Sequence, residues 1–240
     1  MIKKVRGILK EFRERDANIL KNTEELIWAN VYHDSIQGKQ WLTNLPLNIG
    51  RWAGNYTFFY ILNRILNDVK PKSILEFGLG ESSKFIATYI KNELTETRHD
   101  IIEQSADWAD KFEALFQLPV KSKIHICSLV QKEIFGYQVN SYEGLDEKIS
   151  GLYDFYLIDG PLGSDNFSRY DIVAIVDQFP KEHEFILLLD DYNRFGEKQT
   201  ANELMRILNN KGIKFSATIY KGNKEVILIA TEKYRYLSSL

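Results

Sequence analysis

Cysteine is nearly missing from this 240-residue chain. Cys127 stands alone, so no internal disulfide is available; it lies in the apolar run IHICSL and reads as a buried thiol rather than a nucleophile. Long hydrophobic runs are lacking too. In the N-terminal stretch MIKKVRGILKEFRERDANIL charges interrupt every apolar segment, which argues against both a secretory leader and a membrane span. Nor is there an excess of one charge. With 31 basic against 33 acidic residues the net charge is -2, which gives no global reason to expect nucleic acid or an anionic membrane as partner. No repeat or low-complexity tract is evident. The expectation is a cytoplasmic protein, with 44% hydrophobic residues, enough for the core of one domain plus an extension.

What is present is a recurring pattern of short apolar runs that end in acids. The first is SILEFGLGESSKF, residues 73 to 85. Ile74, Leu75 and Phe77 suit a buried parallel strand, Gly78 and Gly80 permit positive φ and close backbone approach, and Ser82 or Ser83 is placed to cap the following helix. Amides at such a helix start face whatever the turn holds. Glu76 puts a carboxylate where dinucleotide folds keep an apolar residue, which suits a cationic ligand. A second strand, His99 to Ile102, ends in Glu103 about 20 residues beyond the glycines, the position at which an acid takes up ribose hydroxyls. Trp108 is a candidate to flank a base. YDFYLIDGP carries a third strand, Phe155 to Ile158, into Asp159, and a fourth, Phe185 to Leu189, runs into Asp190 and Asp191. In open α/β sheets ligands sit beyond the carboxyl ends of the strands, so these acids should meet in one crevice.

Taken together, EFGLGESS, IEQSADW, IDGP with the later Arg169, and LLDDYNR resemble motifs of the class I S-adenosylmethionine (SAM)-dependent methyltransferases. The likeness covers roughly residues 70 to 231. Leu79 in place of a small residue and Ser83 in place of threonine depart from the pattern. The resemblance implies a Rossmann-like, doubly wound, mostly parallel seven-stranded sheet. Lys214 to Tyr220 and Glu225 to Thr231, joined by KGNK, would form its antiparallel closing hairpin, with Gly222 and Asn223 in the turn. It implies a SAM site made by Glu76, Gly78, Gly80, Ser82, Glu103, Gln104, Ser128, Leu129 and Asp159, with Glu76 near the ammonium end and Ser128 and Leu129 framing the adenine. It further implies an O-methyltransferase acting on a small molecule or a sugar-type acceptor. The alternatives are a nicotinamide-dependent oxidoreductase, against which stand Glu76 and the closing hairpin, and a degenerate binding domain.

Methyl transfer to a hydroxyl needs an aligned acceptor and a base, and Asp159 is the expected base. Asp159, Asp190 and Asp191 also form an oxygen-rich set that suits magnesium or another divalent ion. In a reading without metal, Asp190 caps its loop and Asp191 pairs with Arg194 at the surface. Arg51 and Trp52, in the ordered loop WLTNLPLNIGRWAG, are expected at the acceptor with Asp191 and Arg194; Asn55 is a further candidate. His33, His99, His125 and His183 fall in no motif and are expected to be structural or exposed. Residues 1–69 should form a helical extension on a domain of residues 70–240. Val5, Ile8, Leu9 and Phe12 recur at helical spacing, which makes the first helix a packing surface for the core or a second subunit. The polar segment from Gln131 to Gly151 reads as a long loop.

Overall fold

The computed structural model describes residues 2–50 and 53–239. In chain order the elements are α1 (Ile2–Ser35), α2 (Gln40–Thr43), α3 (Tyr56–Arg64, running on as a π-helical turn, Ile65–Val69), β1 (Ser73–Phe77), α4 (Glu81–Asn92), β2 (Arg98–Glu103), α5 (Ala106–Leu115) and β3 (Ser122–Ile126). There follow β4 (Leu129–Ile134), β5 (Tyr137–Tyr142), α6 (Leu145–Lys148), β6 (Phe155–Ile158), α7 (Asp171–Val176), β7 (Ile186–Leu189), α8 (Phe195–Asn210), β8 (Phe215–Lys221), β9 (Glu225–Thr231) and a final 3-10 segment, Glu232–Ser239.

Seven strands make one sheet in the order β3-β2-β1-β6-β7-β9-β8. The first five are parallel, because each pair is joined by a crossover long enough to bring the chain back; β9 runs antiparallel to β7 and β8, since only a short turn joins β8 to β9. The order reverses at β1, where the chain moves from one edge to the other side, and ligands in such sheets bind at that switch point. Period-2 alternation sends Ile74, Phe155, Leu157, Leu188 and Leu228 to one face, against α1, α3 and α4. It sends Leu75, Phe77, Ile158, Leu187 and Ile229 to the other, against α7 and α8. The central strands are buried on both faces, which is why they read as continuous apolar runs.

One expectation fails. Residues 131–151 are not a loop: β4 and β5 form a separate two-stranded ribbon, paired from Leu129↔Tyr142 to Ile134↔Tyr137, and α6 follows. The turn between them is Phe135–Gly136, both at positive φ, a two-residue hairpin turn with phenylalanine where asparagine is usual. Half of β4 is exposed and none of it is fully buried, so its sequence carries no apolar alternation to announce a strand. Among the described residues no helix is long and apolar enough to cross a membrane.

Candidate functional site

The glycine turn is built as its residues require. Gly78 sits at φ 96, and a Cβ there would stand 3.2 Å from the Asp159 carbonyl oxygen, so the β1 and β6 strand ends touch only because no side chain intervenes. Gly80 is the N-cap of α4, and Ser83 Oγ accepts from its N–H, so Ser83 closes the cap that either serine was expected to supply. Glu103 Oε2 accepts from Leu79 N at 3.0 Å and Oε1 from Ser105 N at 2.9 Å. Each oxygen keeps a further acceptor position. Trp108 Nε1 donates to the Leu79 carbonyl and clamps the turn from the far side.

Over this turn opens a cleft of about 980 Å3. Of the residues proposed from sequence, Gly78, Gly80, Ser82, Glu103, Gln104, Asp159, Asp191 and Arg194 line it together. Ser128 and Leu129 are not among its lining residues; the chain leaves the sheet there to begin the β4–β5 ribbon. Glu76 is not among them either. It is fully buried, accepts from Ser82 Oγ, and meets His99 Nε2 at 2.9 Å, with His99 Nδ1 in turn 3.0 Å from Ser122 Oγ. Ser82, which does line the cleft, stands between it and Glu76. His99, which fell in no motif, is thus partner to the motif's acid. Asn55 is buried as the N-cap of α3, accepting from Phe58 N. Arg51 and Trp52 lie outside the described residues, though Asn48, Ile49, Gly50, Ala53 and Gly54 of the same loop line the cleft.

Beside the turn, at the ends of β6 and β7, charges are packed against charges. Arg169, almost fully buried, donates through Nη1 to the carbonyls of Ile158 (3.3 Å) and Asp190 (3.0 Å), stapling the ends of β6 and β7. Its Nη2 stands 3.0 Å from Asp159 and 2.8 Å from Asp191. Lys224, delivered by the β8–β9 turn, stands 3.2 Å from Asp191 and 3.6 Å from Asp190. Arg194 reaches the same Asp191 carboxylate at 3.1 Å. Asp191 is therefore paired as expected, but buried rather than superficial. Both Arg169 (φ 60) and Asp191 (φ 57) hold left-handed backbone conformations that cost non-glycine residues energy. Neither Asp190 carboxylate oxygen has a hydrogen-bond partner.

The electrostatics follow from this crowding. Burial pushes the Asp159 carboxyl up to about 7; Arg169 opposes the rise, and the negative charges of Asp190 and Asp191 add to it. Burial also raises Asp190, with Asp191 beside it. Burial acts the same way on Asp191, but Arg169, Lys224 and Arg194 outweigh it and hold the group below the ordinary carboxylate range. Asp159, Asp190, Asp191 and Glu197 face Arg169, Lys224 and Arg194, four carboxylates against three cations, which leaves one negative charge in excess that uptake of one proton cancels. One oxygen from each of Asp159, Asp190 and Asp191 falls within a 4.8 Å group, near enough for a shared ion. The arrangement nevertheless does not fit a divalent cation, because Arg169 already bridges Asp159 to Asp191 and Lys224 bridges Asp191 to Asp190. Arg169 entered the sequence reading only as a late motif residue and Lys224 not at all. A lysine in a hairpin turn carries no local sign that the turn folds over an active cleft.

No family model matches this chain, and no curated protein matches it in sequence. Solved structures do resemble it. The O-methyltransferase TomG from Streptomyces achromogenes, in complex with SAM, superimposes with a TM-score of 0.51 at 12% identity, over 88% of this chain and 96% of that one. The fold is that of the SAM-dependent methyltransferases. A weaker likeness, TM-score 0.48 at 14% identity, links 85% of this chain to 91% of an O-methyltransferase from Bacillus cereus in complex with SAH. Within this fold the Gly78–Gly80 turn, Glu103 and Asp159 with its cationic neighbours line one cleft.

Proposed function

We propose that this chain is a SAM-dependent methyltransferase that acts on an oxygen of a small molecule, of a sugar type or similar. The observation that carries the reading is the meeting, in one cleft, of an open glycine turn, an acid with free acceptor positions at the next strand end, and a raised-pKa aspartate facing both. SAM when bound would supply an electrophilic methyl carbon. Gly78 and Gly80 would let its backbone-like chain pass, Glu103 would accept from its ribose hydroxyls, and Ser82 Oγ would accept from its ammonium group. Ser82 directs its own hydrogen to Glu76, so Glu76 acts through Ser82 rather than by direct contact. Trp108 and Gln104 would border the base end, a place for which Ser128 and Leu129 were the first candidates.

Asp159 would take the acceptor's proton. A group that titrates near 7 is well matched to that task, since it is both available as carboxylate and basic enough to pull. Arg169 would steady the ionised form, and half-exposed Arg194 with Asp191 would orient the acceptor. No metal enters this scheme, because the cationic side chains stand where one would be held. Residues 70–240 would carry both ligands, with the loop at residues 48–54 as the rim. Calorimetric titration with SAM, SAH and NAD tests the reading: SAM and SAH should bind and NAD should not. Binding of NAD alone would replace it by the oxidoreductase reading.

A further inference from the structure

The first helix leaves the molecule. α1 is 34 residues long, about 50 Å at 1.5 Å per residue. Its contacts with the body begin only at Glu25, which accepts from Asn55 Nδ2, Tyr56 N and Asn223 N, and continue through Trp28 and Tyr32. Over residues 9–23 every side chain is exposed, and the interactions recorded there lie within the helix itself. In proteins most helical stability comes from packing of an apolar face, which this stretch has not found within its own chain. Yet it carries Leu9, Phe12, Ile19, Leu20, Leu26 and Ile27, each between 49% and 66% exposed, with Phe12, Ile19 and Leu26 seven residues apart. That spacing is a seam, one that pairs with another helix.

The seam is broken by polar residues at Asn22 and Thr23 and, near its middle, at Arg15 and Asp16, adjacent and opposite in charge. Arg15 lies over the Phe12 ring, on the same face. The flanks are polarised about this point. Residues 6–15 hold Arg6, Lys10, Arg13 and Arg15 against Glu11 and Glu14, a net +2; residues 16–25 hold Lys21 against Asp16, Glu24 and Glu25, a net -2. A parallel pair would set like on like. An antiparallel pair centred on the Arg15–Asp16 break sets basic half on acidic half, Arg15 on the other copy's Asp16 and Phe12 on its Ile19, with two-fold symmetry. In that register Arg6 meets Glu25, so the overlap ends where each helix joins its own body.

We propose that the occupant of this face is a second copy of the chain, joined through an antiparallel α1–α1 coiled coil whose register is set by two Arg15–Asp16 pairs across the axis. The proposal is independent of the methyl-transfer reading. Sedimentation of the full chain tests it. The wild type should be a dimer at micromolar concentration, and Ile19→Lys, at a site without tertiary contacts, should be a folded monomer. Asp16→Arg faces Arg15 with arginine twice and should weaken the dimer by at least about 100-fold. The swap Arg15→Asp with Asp16→Arg should restore it to within about threefold, since it returns opposite charges to each facing pair. A wild type that stays monomeric at tens of micromolar, or a swap as weak as the single variant, would overturn the proposal. So would a monomer that binds phosphatidylserine vesicles and loses them with Ile19→Lys, which would assign the face to lipid.

Discussion

Two regions of the cleft's lining, each a wall in its own right, hold their carboxylates by opposite means. Glu103 is satisfied by two backbone amides and has no cationic side chain among its hydrogen-bond partners. Asp159 is crowded by Arg169, Asp190, Asp191 and Lys224, with residues in strained backbone conformations to hold the group together. An acid fixed by amides is held in place as a hydrogen-bond acceptor. One fixed among buried charges has its proton affinity set by its neighbours, which is what a base needs.

The largest expected effect breaks the crowded wall. Asp159→Asn should lower turnover by roughly 10²- to 10⁴-fold while SAH affinity changes little, measured by steady-state kinetics and calorimetry once an acceptor is in hand. Next, Arg169→Met leaves Asp159 and Asp191 without their shared counterion. The expected cost is about 3–5 kcal/mol of stability in chemical denaturation, because an uncompensated buried charge is worse than a missing pair. A loss below about 1 kcal/mol would mean the wall is wetter than its burial indicates.

On the other wall, Glu103→Ala should weaken SAH by roughly 10- to 100-fold, since two ribose hydroxyls lose their acceptor, and should abolish most of the SAH-induced thermal shift. An unchanged shift would remove Glu103 from the site.

The pH dependence separates the walls without a large perturbation. Asp159 binds its proton more tightly folded than unfolded, so its contribution to stability falls as pH rises from about 4 to about 7 and stays lost above. Asp159→Asn should therefore melt roughly a few degrees above wild type at pH 8 and show no such gain at pH 4. Turnover of the wild type should run the other way, rising with pH until Asp159 is ionised near 7. The smallest expected effect is none at all: exhaustive chelation should leave turnover unchanged, and activity restored only by magnesium or manganese would show that Arg169 and Lys224 give way to an ion.

Much of this was legible beforehand where a residue's role is set by its neighbours in the chain. The runs at 74–77, 155–158 and 185–189 are strands because they are apolar on both faces, and their acids come next because a strand end meets water. The β4–β5 ribbon was not legible, since β4, with no residue fully buried, shows no apolar alternation in the sequence. Glu76 was placed at the ligand from its motif, but its carboxylate is taken by Ser82 and His99, 6 and 23 residues away.

The sequence by itself determined the parallel sheet, the glycine turn and the acids at its edge, because strand periodicity, turn chemistry and burial act over a few residues. Tertiary structure alone decided which of those acids face the cleft and which are satisfied from behind. It also brought Arg169 and Lys224, 55 residues apart, onto the same carboxylate. Charge pairing falls off with distance in space and takes no account of distance along the chain, so no local pattern could have announced it.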